Sequence, residues 1–254
     1  MYLIVEASVE KNKKYLVTRE KKFFSNSYWK IDINEIERLW YGSKFKLWKK
    51  EYIILKPTLA DYIMFWLKRQ TQIIYPTDCI QIANLLGLQQ NDLVFESWIW
   101  SWALSLIMLN FGVNLYSFER RQEFIDLAKY NISKWEKFCW KKYSHKILKF
   151  DIVEDNISKG FLNFFDKGVL DIRYPERTKN NILRMLKEWG ILIVWVPTAN
   201  QVIEVIKSYQ EDFFVDEIVQ IRQNQWIRLA ERFRPEDWQP GERWFIIKLI
   251  KLKK

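Results

Sequence analysis

The sequence predicts an α/β protein, a parallel sheet with helices on both faces, preceded by a small β domain. Three observations carry this expectation. Short β-like runs separated by lysine-rich turns fill residues 1–57, strand-like and helix-like segments alternate from residue 72 onward, and 254 residues suffice for a large domain beside a small one.

The N-terminal runs are Tyr2 to Val5, Tyr15 to Thr18, Tyr28 to Ile33 and Tyr52 to Leu55. Pro57 and Thr58 then open a helical connector over residues 58–71, with Thr58 as N-cap of a helix from Leu59 to Lys68. The third segment, 72–254, alternates. It reads as helix Thr77 to Leu86, strand Leu93 to Phe95, helix Ala103 to Asn110, strand Val113 to Phe118 and helix Arg121 to Asn131. Beyond a lysine-rich connection come strands Lys146 to Ile152 and Lys167 to Asp171, helix Lys179 to Lys187, strand Ile191 to Val196 and helix Asn200 to Tyr209. Such alternation makes each helix a crossover between parallel strands.

Net charge is +10, from 41 Lys and Arg against 31 Asp and Glu, which favours a polyanionic partner. Cys79 and Cys139 are the only cysteines and His145 the only histidine, so a zinc site or a disulfide framework has almost no material. No metal is expected. The longest nearly apolar stretch, around residues 97–113, is interrupted by Ser and Asn and is too short to span a bilayer. With no charged-then-apolar leader in view, a cytoplasmic protein is the expectation.

Glycine is scarce, at 7 of 254 residues, and tryptophan abundant, at 14; together they make an ordinary glycine content. The local context agrees. Trp189 lies in LKEWGIL, where a helix gives way to a strand and a glycine C-cap belongs, and Trp48 lies in KLWKKEY, where two strands need a turn. In ESWIWSWAL, residues 96–104, three indoles alternate between a strand and a helix. With glycine at 98, 100 and 102 this becomes an acidic residue followed by a loop that brings bare backbone to a nucleotide. Glu119 ends the next strand about 20 residues later, where an acid accepts from ribose hydroxyls.

Read in this way, E-x-G-x-G-x-G-A-L with FER at the second strand resembles the class I S-adenosylmethionine-dependent methyltransferases and their Rossmann-like sheet. TQIIYPTD (71–78), LDIRYPE (170–176), VPTANQVI (196–203) and ERFRPED (231–237) narrow the resemblance to the tRNA adenine N1-methyltransferases acting at adenosine 58 of the T-loop. It covers about residues 48–250. Trp48, Trp66, Trp98, Trp100, Trp102, Trp189 and Trp244 all fall where that family carries glycine or another small residue, and Glu242 and Arg243 replace its usual His-Thr pair. One such change marks a decayed enzyme. Seven with the motifs intact predict glycine in the natural polypeptide, because indoles at 98, 100 and 102 would fill the volume of the cofactor's methionine and ribose.

The resemblance implies methyl transfer from S-adenosylmethionine to N1 of a flipped adenine in tRNA, by a homotetramer, with positioning and desolvation as the main terms. Asp171 matches the active-site aspartate that hydrogen-bonds the adenine N6 amino group, and Tyr75 an aromatic beside the target base. The cofactor would be held by Gln72 at its methionine end, by Glu96, Ser97, Trp98, Trp100, Ser101, Trp102, Ala103 and Leu104 of the loop, and by Glu119 and Arg120 at the ribose. Asp171 borders it as well, and either Glu154 or Asp155 contacts its adenine. Arg232 and Arg234 match a motif near the substrate side or a subunit interface. Lys141 and Lys142, in a run with Lys134, Lys137 and Lys146, are candidates for tRNA phosphates. The contrasting reading is a catalytically silent tRNA-binding subunit of the same fold, separated from the enzyme by cofactor binding. A peripheral membrane binder fits less well, since no basic amphipathic anchor accompanies the βα pattern.

Overall fold

The computed structural model describes the chain apart from residues 8–12, 21, 26–29, 71, 98–101, 228, 238–243 and 254. The chain divides into two compact units, residues 1–67 with 223–240, and residues 68–222 with 241–254.

The first unit contains β1 (Tyr2–Ala7), β2 (Lys13–Val17), β3 (Phe23–Ser25), β4 (Lys30–Asp32), α1 (Ile33–Glu37), β5 (Lys44–Leu47), β6 (Lys50–Leu55) and α2 (Leu59–Phe65). Four of the strands form an antiparallel sheet in the order β2-β1-β6-β5, and β3 pairs with β4. Alternation explains the inner face: Tyr52 and Ile54 of β6 are fully buried and pack with Ile4, Val17 and Ile36. Thr58 caps α2 as the sequence predicts. Its hydroxyl accepts from Asp61 N at 3.2 Å, and the Asp61 carboxylate accepts from Thr58 N at 3.0 Å, a reciprocal capping box.

The second unit holds α3 (Pro76–Leu86), β7 (Leu93–Ser97), α4 (Ala103–Asn110), β8 (Asn114–Glu119), α5 (Gln122–Cys139), β9 (His145–Lys149), β10 (Phe165–Leu170), α6 (Lys179–Met185), β11 (Leu186–Val196), α7 (Ala199–Tyr209), β12 (Phe213–Val219) and β13 (Phe245–Lys251). Its seven-stranded sheet has the order β12-β13-β11-β10-β7-β8-β9. Neighbours from β9 to β11 are parallel, while β13 runs antiparallel to both β11 and β12. From β7 the chain steps outward to β8 and β9, then returns to the other side of β7 for β10 and β11. That reversal is the switch point where ligands bind in open α/β sheets. β7 and β10 pack closely: a Cβ on Gly168 would lie 2.1 Å from the Phe95 ring.

Three features depart from the sequence reading. Helix α5 continues to Cys139, because Ile132 and Trp135 extend its buried stripe. Strands β12 and β13 lie beyond the last helix that the sequence predicts: β12, reached from β11 through α7, has the adjacent acids Asp216 and Glu217 in its middle, and β13 follows a long connection with no α-helix and so lacks the alternation that marks the other strands. LKEWG is no helix cap. Helix α6 stops at Met185, and Trp189 lies in the irregular start of β11, where the pairing jumps from Phe165↔Leu186 to Lys167↔Ile191. The carbonyls of Leu183 and Leu186 at that junction both accept from Lys251 Nζ at 2.6 Å.

Candidate active site

The carboxyl ends of β7 to β11 lie on one edge of the sheet, and the segments that follow them enclose a cavity of about 640 Å³. Its wall comprises Gln72 ahead of α3, Arg120 and Arg121 after β8, and Asp151, Val153 and Glu154 after β9. Asp171 to Tyr174 and Arg177 follow β10, Trp195 and Pro197 close β11, Gln201 comes from α7, and Trp244 directly precedes β13.

Asp171 stands where the sequence predicts, one residue past β10, its backbone N–H on Ser97 O at 3.4 Å. Burial, reinforced by the Glu96 charge, pushes its carboxyl up to about 8. Glu96, buried in β7, accepts from Ser105 Oγ at 2.5 Å and Ser117 Oγ at 2.6 Å. Burial outweighs those two donors and takes it to about 7. The same desolvation, with the charges of Asp78, Glu96 and Asp171, raises the Cys79 thiol well above its ordinary value. Ser117 gives its proton to Glu96, leaving its oxygen to accept from His145 Nε2 at 2.7 Å; burial lowers His145 to about 4 and keeps it neutral.

Glu119 ends β8, but it is fully buried and lies outside the cavity wall. Arg121 covers it, donating from Nε at 3.1 Å, from its guanidinium at 3.4 Å and from its backbone N–H at 2.9 Å. Arg120 lines the cavity and pairs with Asp151 at 3.2 Å. Of the two candidates after β9, Glu154 faces the cavity and pairs with Arg177 at 2.9 Å, whereas Asp155 accepts from Asp151 N at 2.7 Å within its own turn. Gln72 is in the wall. Tyr75 is the N-cap of α3, 40% exposed and outside the wall.

Trp98, Trp100 and Ser101 lie outside the described residues. Ser97 is buried at the end of β7, and its hydroxyl has no partner among the described residues. Ala103 and Leu104 are buried in the first turn of α4. Trp102 corrects one expectation: its ring does not fill the cavity. The indole is 1% exposed and packs edge-on against His145 with ring centroids 5.6 Å apart, because burial in the apolar layer beneath α4 is worth more than exposure at the cavity.

Lys141 lies over the Tyr143 ring and Lys142 pairs with Glu136 at 2.8 Å, both exposed just after α5. Arg232 and Arg234 belong to the other unit, where both are exposed and Arg234 pairs with Asp237. Several wall residues escape sequence reading: Arg173 and Gln201 lie in quoted motifs without a role assigned to them, and Arg121, Asp151, Arg177 and Trp195 carry no motif. A positional signal existed for some of them, since Asp151, Arg173 and Arg121 each fall within a few residues of a strand's carboxyl end. Trp195 and Trp244 stack with ring centroids 4.0 Å apart, a pairing across sequence that only the fold creates. Among the described residues no group of three His, Cys, Asp or Glu side chains is arranged to hold a metal ion, and no helix is long and apolar enough to cross a membrane.

No family model matches the chain. A curated tRNA (adenine(58)-N(1))-methyltransferase, TrmI of Thermus thermophilus, is 22% identical over 209 residues, spanning 80% of this chain and 78% of the relative. The crystal structure of the tRNA (m1A58) methyltransferase TrmI from Aquifex aeolicus matches with a TM-score of 0.85 at 25% identity, over 99% of this chain and 97% of that one. A SAM-dependent O-methyltransferase from Thermotoga maritima matches with a TM-score of 0.86 at 27% identity, over 99% and 93%. Likeness of that extent, joined to a cavity at the switch point of the sheet, makes this chain a class I methyltransferase with S-adenosylmethionine as its cofactor, similar to the tRNA (adenine-58-N1)-methyltransferases.

Proposed function

We propose that the protein methylates N1 of adenosine 58 in the T-loop of tRNA. The observation that carries this reading is Asp171: a carboxyl at the end of β10, in the cavity wall, with its proton affinity raised into the neutral range. A base that needs its N6 amino group held, so that electron density stays on N1, calls for an acceptor of this kind.

The residues fit S-adenosylmethionine on two counts. The buried Ser97 hydroxyl at the end of β7 is an unused polar group where the loop begins, and the Glu96 and Asp171 carboxyls match a positively charged ligand. When bound, the cofactor supplies an activated methyl group on a sulfonium. Gln72 and the backbone after Ser97 would hold its methionine end, Glu119 and Arg120 its ribose, and Glu154 its adenine. For Glu119 to reach a ribose, the Arg121 side chain must swing off it. Asp171 orients the target base, and Trp195 in the cavity wall helps exclude water.

The test uses the chain with Trp98→Gly, Trp100→Gly and Trp102→Gly, S-adenosylmethionine and an unmodified tRNA transcript. Nuclease digestion and mass spectrometry should find 1-methyladenosine at position 58, and Asp171→Asn should lower kcat/KM by about 10²- to 10³-fold. Methylation at another nucleotide, or uptake of the cofactor with no RNA product, would remove the adenosine 58 assignment. Failure to bind the cofactor at all would favour the silent tRNA-binding subunit.

A further inference from the structure

Nine described residues have positive φ. Three are glycines, Gly42, Gly87 and Gly112; two are Asn91 and Asn163, a type that tolerates the left-handed region; the remaining four are Trp48, Trp102, Trp140 and Trp189. Bulky side chains are the wrong class for that region, because Cβ meets the following carbonyl. We infer that positions 48, 102, 140 and 189 are glycine in the protein as its host makes it, each written as tryptophan where a UGA codon is read as glycine.

Backbone geometry makes the case without reference to any relative. Trp140 closes α5 with φ 54° and ψ 35°, its N–H on Glu136 O; Gly87 closes α3 with φ 58° and ψ 47°. One chain thus uses the same left-handed cap twice, once with the residue that suits it. Trp140 was not suspected from sequence, and its indole is 95% exposed. Trp48 holds the first position of the two-residue turn between Leu47 and Lys50, which are paired, with φ 57° and 85% exposure. Trp189, at φ 64°, is 67% exposed. None of these three rings is buried deeply enough to offset the strain of its backbone. Trp102 is buried, yet its Nε1 finds no partner among the described residues and its φ is 56°.

Other tryptophans behave differently. Trp135 is buried, donates from Nε1 to Tyr143 OH at 3.1 Å and packs on Phe138; Trp226 stacks on Phe233. Neither has positive φ, so both are tryptophan in the natural chain as well. The inference therefore sorts the tryptophans by position. At 102 it leaves bare backbone at the first turn of α4, the arrangement that the proposed cofactor loop requires.

The test is codon by codon. The genomic codons at 48, 102, 140 and 189 should be UGA, and those at 135 and 226 UGG. Peptides of the protein purified from its own host should carry glycine at the first four positions, each lighter by one indolylmethyl group, and tryptophan at the other two. UGG codons or intact tryptophan at the four positions overturn the inference. In recombinant protein Trp140→Gly should raise Tm, and a fall in Tm counts against it. A glycine-bearing chain that folds yet takes up no S-adenosylmethionine would sink the methyltransferase reading while leaving this assignment standing.

Discussion

At the scale of single residues, two carboxyls set the expected pH behaviour. Asp171 must be ionised to accept from an amino group, and its proton leaves at about 8. The pH profile of kcat/KM should therefore rise through neutrality and level off above about pH 8, since that ratio reports groups of the free enzyme. A profile of the same shape in Asp171→Asn would assign the limb to another group. Stability follows the opposite course. Both Asp171 and Glu96, the latter at about 7, are raised in the folded state, so their favourable contribution is complete below the ordinary carboxylate range and is lost as pH climbs through 7 to 8. Glu96→Gln keeps the shape and the acceptor for Ser105 and Ser117 while removing that charge. At pH 8 thermal unfolding should show it more stable by about 1 kcal/mol, or ~2–4 °C in Tm; unchanged or lower Tm would show that Glu96 ionises at no cost.

At the scale of elements, the caps are the readable part. Thr58 was legible as an N-cap because threonine after proline and before an apolar run has one economical use, and the reciprocal pair with Asp61 follows. Thr58→Ala should cost about 1 kcal/mol in denaturant unfolding, and no measurable loss would mean that α2 is held by its buried face alone. Helix α4 was readable to the residue, from Ala103 to Asn110. What escaped did so for physical reasons. Strand β13 follows no crossover helix, β12 carries adjacent acids mid-strand, α5 hides its last turns among lysines, and the start of β11 takes an irregular register that local preference does not encode. The site divides similarly. Asp171 and Gln72 lie in the cavity wall, as does Glu154, one of the two alternatives that the sequence left open, whereas Arg121 masking Glu119 and the Trp195–Trp244 stack arise from tertiary packing alone.

At the scale of the whole molecule, charge is the property with consequences for a polyanion. A net charge of +10, with Lys141 and Lys142 exposed beside α5, predicts tRNA affinity that falls steeply with salt, and each phosphate contact removed should reduce the slope of log K against log salt by about 0.7–0.9. Titrating tRNA at several salt concentrations against Lys141→Ala/Lys142→Ala checks this, and an unchanged slope would place the RNA elsewhere. The order of the sheet has its own consequence. β13, the last of the described strands, is wedged between β11 and β12, and β12 has no other neighbour among the described residues. Until that final segment emerges from the ribosome, β12 waits unzipped and β11 exposes one flank. Assembly of the catalytic half must therefore finish as a late insertion rather than by orderly growth from the first strand to the last.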